Sequence, residues 1–351
     1  MSWRTLSLSI VVGSALAVGA LPLGGARAAK QPKRSKPTLD LVRSALFPPR
    51  IDAAVSSSYH PGVEVFAPTG GAFHSRHLFQ VEGHSQEESF ELRYLSGVTY
   101  DGPMGRQWWH SLHAFLRLES NGDVTLVDTD GRENRFVADG GAFVAPAGCC
   151  AELTGVLKGR KQKLKGFRLT WPDRTVWTFD LKGVWTSLTR RDGRVITFAR
   201  DKKSHALKSV KTPERRNYAF KYGKDKRLLR IRLPGKRDFG FDYDDTGNLT
   251  TITRPRRSGD TTPATWTYGY DAQGRLDEIR TSAGEVTATI VYDGSGRVAE
   301  IADFAARAAT FTYGSSSMVP TRRDGVACEI QYAVNGQTTR VVTDHGTPGA
   351  S

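Results

Sequence analysis

Cysteine is nearly missing from this sequence: Cys149, Cys150 and Cys328 are the only three in 351 residues. So few cannot build a disulfide framework or a Cys/His metal site. Cys149 and Cys150 are neighbours, and a bond between them would be strained. Either can pair with Cys328, or all three serve as small buried hydrophobes. Leu/Met-rich runs that favour helices are scarce beyond the first 50 residues. After Leu23 no apolar run nears the ~20 residues a membrane helix needs, so the mature chain is expected to be soluble. There is no phosphate-cradling glycine loop. "DTDG" at Asp128–Gly131 lacks the further oxygen ligands and acidic closing residue of a calcium loop, and reads as a turn. Ser295 lies in a turn, "DGSGR", and not in a strand–turn–helix nucleophile elbow. His110 and His113, with His74, His77 and His84 nearby in sequence, have no Cys or acidic partner at ligand spacing. These absences leave no complete catalytic constellation. The expectation is a non-enzyme with no cofactor, no metal and no catalytic residue.

What is present favours strands. Glycine is abundant at 36 residues, aromatics are plentiful and turns are frequent, which suits an all-β chain. The first 28 residues read as a signal peptide. Arg4 supplies positive charge, Leu6–Leu23 the apolar stretch, and Ala26–Ala28 the small residues before a cut at Ala29. An uncleaved N-terminal anchor is the alternative, weakened by Gly13, Gly19 and Pro22. Secretion, or retention in the cell envelope, is the expected location. Residues 29–60 are a basic, proline-rich linker with one short helix expected at Leu39–Leu46. Residues 61–150 form a β-rich domain, residues 151–345 a repeat sheet, and residues 346–351 a tail. Charge is uneven. Residues 158–237 hold 26 Lys/Arg against 6 Asp/Glu, while the remainder is net acidic. These charges alternate with apolar residues, so a solvated outer sheet face explains them. A surface for acidic glycan or another polyanion is the functional alternative. Secretion argues against nucleic acid as the partner.

The repeat is the strongest signal. In "YDAQGRLDEI", Tyr270 begins a frame that recurs along the chain. The reference aromatic stands at Phe179, Tyr222, Tyr243, Tyr270, Tyr292, Tyr313 and Tyr332, the last six spaced by 21, 27, 22, 21 and 19 residues. Phe198 fits as another copy if three residues are inserted after it. Asp follows at Asp180, Asp244, Asp271 and Asp293. Four residues after the aromatic comes Gly183, Gly247, Gly274, Gly296 or Gly336. Six and nine residues after it come apolar pairs such as Leu276 with Ile279. Eight degenerate units fill Phe167–Asp344, and a fixed period of this kind marks a repeat architecture. Asp can bond its own backbone and start a turn, and glycine closes it with positive φ. A separation of three between the apolar pair breaks strand alternation, so a bulge is expected there. Each unit is then a hairpin that is marginal alone and stable only when paired edge to edge. The expected fold is all-β: repeated antiparallel hairpins in one long twisted, curved sheet.

"YDAQGRL" and "YDGSGRV" resemble the YD repeats of the Rhs and teneurin superfamily. "YDGPMGRQWWHSLHAFLRLESNGDVTLVDTDGRENRF" (Tyr100–Phe136) resembles the β-rich domain that precedes the repeats in bacterial Rhs proteins. The resemblance implies a hollow β shell that encloses a toxin or presents a surface for adhesion or carbohydrate. The family's shell-terminating segment has no counterpart here, and eight units are too few to close such a shell. The chain is therefore expected to be a secreted, non-enzymatic structural or binding module, a truncated shell component of a toxin or adhesion system. Trp108, Trp109, Trp171, Trp177, Trp185 and Trp266 are candidates to stack on sugar rings, but most fall on the inward face by periodicity, so core packing is the expectation. Trp108 and Trp109 are adjacent and must point opposite ways, so one is expected to be exposed. With His110 they are the candidate ligand-binding residues. The last strand edge, near Tyr332–Thr343, invites an Rhs-type partner chain or a second copy.

Overall fold

The computed structural model describes residues 63–344 apart from 67–68, 82–87, 130, 132, 258, 304–307, 323–326 and 333–337, with side chains through Thr321 except Glu88. The leader, the linker with its short helix, the Cys328 side chain and the tail lie outside the described residues. Within them, every regular element is a strand.

The upstream part holds two four-stranded sheets and a small ribbon. One sheet runs in the order Val63–Phe66, Gly71–Val81, Glu88–Leu95, Trp108–His110. The other is a meander of Phe115–Leu118, Val124–Val127, Glu133–Asp139 and Ala142–Val144. Asp101–Gly102 and Gly105–Arg106 form the ribbon. A single antiparallel sheet of 18 strands follows, from Glu152 to Asp344, each strand pairing with the next in sequence. Its first strand, Glu152–Lys158, and its last, Thr338–Asp344, each have one neighbour, so the sheet does not close. The sheet holds the repeat hairpins and, ahead of them, one hairpin outside the repeat frame, Glu152–Lys158 with Lys163–Thr170.

The hairpin of Thr265–Tyr270 and Leu276–Thr281 shows why the repeat has its spacing. Tyr270 pairs with Leu276, but Gly269 pairs with Glu278, so Asp277 is the extra residue of a bulge. The bulge puts Leu276 and Ile279 on the same face, and both are 0 % exposed. The same shift occurs at Phe179, Tyr222, Tyr243 and Tyr292. Each fully buried aliphatic side chain contributes about 1.5–3 kcal/mol. The pairs Leu228 with Ile231, Leu249 with Ile252, and Val298 with Ile301 repeat that burial along the sheet.

The inner face of the repeat sheet is not empty. Its buried side chains join those of the upstream sheets, including Phe90, Leu92, Tyr94, Trp108, Leu116, Leu126 and Phe136, in one continuous core. Trp109 points the other way, into a second small cluster with Phe66, Leu95, Val98 and Tyr100. The expectation that Trp108 or Trp109 would be exposed is corrected. Both faces of the Trp108–His110 strand are covered, and the two indoles are 0 % and 5 % exposed.

Candidate functional site: the seam between repeats and upstream sheet

The repeat residues build a ladder of side-chain links at one edge of the sheet. Asp271 Oδ1 accepts the backbone N–H groups of Gln273 (3.0 Å) and Arg275 (2.8 Å). Its Oδ2 accepts Arg275 Nε at 2.7 Å. The Arg275 guanidinium then lies 4.2 Å from the ring centre of Tyr292, the reference tyrosine of the next unit. Asp293, Arg297 and Tyr313 repeat the arrangement, with a 2.9 Å ion-pair contact and a 4.4 Å stack. Asp244 makes the same turn, with the Asn248 side chain in place of arginine. Gly183, Gly247, Gly274 and Gly296 close these turns at φ of 76–85°, a backbone region strained for L side chains.

The reference tyrosines carry a second link. Each donates its hydroxyl to the carbonyl of the first buried aliphatic of the preceding unit: Tyr222 to Leu207, Tyr243 to Leu228, Tyr270 to Leu249, Tyr292 to Leu276 and Tyr313 to Val298, at 2.6–2.9 Å. These rings are half-buried at the rim of the core. Phe179, the first copy, packs in the core at 1 % exposure and has no hydroxyl to donate. Tyr332 lies where side chains are outside the described residues. Burial holds the Tyr270 phenol well above its ordinary pKa, so it remains a donor.

The bulge leaves a backbone N–H free to bond outside the hairpin, and the upstream sheet takes it up. Leu228 donates to the Pro103 carbonyl, Leu276 to the Tyr94 hydroxyl and Val298 to the Gly70 carbonyl, each at 2.8 Å. The turn carbonyls accept in return, from Leu116 at Gly183 (2.8 Å) and from Arg106 at Gly247 (3.2 Å). Trp108 Nε1 donates to the Tyr270 hydroxyl at 2.9 Å. Arg227 reaches the Gly102 carbonyl, and its guanidinium is 2.5 Å from Asp101. The contacts follow no single order along the chain: Pro103, Arg106 and Trp108 meet Leu228, Gly247 and Tyr270, while Leu116 meets Gly183 and Gly70 meets Val298.

His110 and His113 sit inside this seam, their ring centres 5.6 Å apart. Half-buried Arg200 donates to the Leu112 and Trp185 carbonyls. Burial, reinforced by Arg200, lowers the His113 pKa to about 3. Burial also drives His110 well below its ordinary value, with His113 and Arg200 adding to the effect. Both imidazoles are neutral at pH 7, and His110 Nδ1 accepts the Leu112 N–H at 3.2 Å. Among the described residues no three His, Cys, Asp or Glu side chains gather as metal ligands. Cys149 is half-buried and Cys150 exposed, both as free thiols. The proposed ligand trio of Trp108, Trp109 and His110 is thus packed into the seam and its neighbouring cluster. Sequence reasoning missed Tyr94, Arg106 and Gly70, which carry no repeat signal. Their partners lie more than 140 residues away.

Residues 62–136 match a Domain of unknown function (DUF6531), and residues 243–288 match the RHS Repeat family. No curated protein matches significantly. Among solved structures, a TcdB2-TccC3 crystal structure without its hypervariable C-terminal region is 14% identical over 81% of this chain and 16% of that one, with a TM-score of 0.35. A Photorhabdus luminescens Tc holotoxin pore, in a mutant form, is 11% identical over 78% of this chain and 17% of that one, with a TM-score of 0.26. A porin-like protein from Bacteroides uniformis is 12% identical over 75% of this chain and 96% of that one, at 0.22. The chain therefore spans less than a fifth of the toxin chains it is similar to.

Proposed function

Because this chain belongs to the Rhs/YD-repeat family, we propose that it works as a secreted, non-enzymatic scaffold, a shell component of a toxin or adhesion system. The observation that supports this reading is the seam. The tyrosine hydroxyls join successive hairpins, and turn carbonyls, bulge amides and Tyr270 join the repeat sheet to the upstream part of the same chain. The turn carboxylates bond their own backbone and their own arginines. An Rhs-type partner chain or a second copy is proposed to meet the outer edge of Thr338–Asp344, where an unpaired strand offers its backbone groups.

Expression of the tagged full chain in its native host tests the proposal. The expected product lies outside the cytoplasm, begins at Ala29 and elutes in an assembly larger than one chain. A full-length monomer kept in the cytoplasm overturns it, as does a hydrolytic activity abolished by one side-chain change. The uneven charge supports a second role for the same module, contact with acidic polymers at a cell surface.

A further inference from the structure

The two edges of the repeat sheet differ in chemistry. One edge carries the Asp–Gly turns that meet the upstream domain. The other carries the turns between successive hairpins: Trp171–Thr175, Arg190–Arg194, Thr212–Arg216 and Leu233–Arg237. This second edge is lined with Arg174, Arg190, Arg191, Arg194, Arg215, Arg216, Lys236 and Arg237, against Asp173, Asp192 and Glu214. Successive turns are two strands apart, so the cations recur about every 10 Å. The fourth residue of each turn adopts positive φ. Glycine fills that place at Gly193 (φ 81) and Gly284 (φ 80), but Arg174 (φ 68), Arg215 (φ 62) and Lys236 (φ 60) hold cations there. Left-handed backbone disfavours long side chains, so these three cations stand where local geometry favours glycine.

A cleft of about 320 Å³ opens between two of these turns. Phe79, Tyr218, Leu233 and Pro234 supply apolar walls, and Arg216 and Arg237 stand at its sides with Gln80. Phe79 is itself stacked on Tyr218 and on Phe90, with ring centres 5.3 and 4.9 Å apart, which fixes the wall in place. Apolar walls flanked by two guanidinium groups suit a pyranose ring with an acidic substituent. The C–H face of the sugar packs on the apolar wall, and its carboxylate or sulfate takes charge-assisted bonds from arginine. The regular cations to either side would follow a linear chain beyond the cleft.

We infer that this edge binds an acidic polysaccharide, with one sugar seated between Thr212–Arg216 and Leu233–Arg237. The inference rests on the acidic-polymer role and gives it a location. Titration calorimetry on the full secreted chain tests it, with heparin as the sulfated probe and polygalacturonate as the carboxylated one. Arg216→Gln with Arg237→Gln removes the cleft cations at exposed positions. Lys202→Gln with Lys203→Gln removes equal charge from the opposite edge. The cleft pair is expected to weaken binding roughly tenfold, and the control pair by less than about twofold. Binding of one polysaccharide alone supports the site and identifies its anion. Equal losses in both variants overturn the cleft while leaving the general role. No binding to either polysaccharide overturns both. Duplex DNA held as tightly, with the same dependence on Arg216 and Arg237, overturns the sugar assignment.

Discussion

At the scale of single residues, Tyr270 carries more than its place in the repeat. Its hydroxyl donates to Leu249 and accepts from Trp108, so it joins one hairpin to the next and both to the upstream sheet. Tyr270→Phe leaves a buried carbonyl and a buried indole N–H without partners and is expected to cost about 2–4 kcal/mol. Tyr313→Phe removes the corresponding link to Val298 and is expected to cost about 1 kcal/mol. Urea unfolding of the two variants measures the difference, and equal losses would show that the Trp108 link contributes nothing. Burial raises the pKa of Tyr94 and Tyr270 above the unfolded value. The unfolded chain therefore loses these protons first, so stability is full below about pH 10 and falls as pH rises beyond it. The sequence marked Tyr270 as a periodic aromatic. It could not show that its hydroxyl bonds the adjacent unit, because that contact depends on sheet register and not on spacing alone.

At the scale of the element, the bulged hairpin is the unit of construction. Two of its glycines separate backbone strain from docking. Gly193 and Gly183 have nearly the same φ, 81° and 77°. A Cβ at Gly193 meets open space, whereas one at Gly183 would lie 1.9 Å from the Leu116 carbonyl oxygen. Gly193→Ala is expected to cost about 1–2 kcal/mol through its left-handed backbone. Gly183→Ala must also break the contact with the upstream meander and should lower the melting temperature further. A similar decrease in both, read by calorimetry, would mean that the meander is only loosely held. The hairpins, their turn chemistry and the bulge were legible because each rests on residues within ten positions of one another. The upstream packing was not, because Phe66 covering Trp109, or Gly70 meeting Val298, joins distant segments that share no pattern. The expected exposure of an indole followed correctly from strand alternation, but alternation cannot say whether both faces are covered.

At the scale of the whole molecule, the upstream sheets and the repeats share one core, and a single cooperative unfolding transition is expected from heat or urea. Two transitions, with the upstream region melting separately, would contradict a shared core. Acid should weaken this unit through its histidines. His113, with its Nε2 sealed from solvent, has a folded pKa near 3 against an ordinary value of 6.5. Between those values the unfolded chain binds the proton and the folded chain does not. The histidine's contribution to stability is therefore full above pH 6.5 and declines as pH falls toward 3, by about 1.4 kcal/mol per pH unit. Melting curves across that range should show the slope, and His113→Phe should flatten it. The docking of the upstream chain along the row of turns has an evolutionary consequence. Repeat proteins commonly grow and shrink by copying or losing whole units. Here each hairpin from Gly183 to Val298 faces its own stretch of the upstream sheet, so an added copy would throw every later match out of step. Change in unit number should be tolerated outside the docked hairpins, and lineages of this architecture should hold the number of units between Gly183 and Val298 constant.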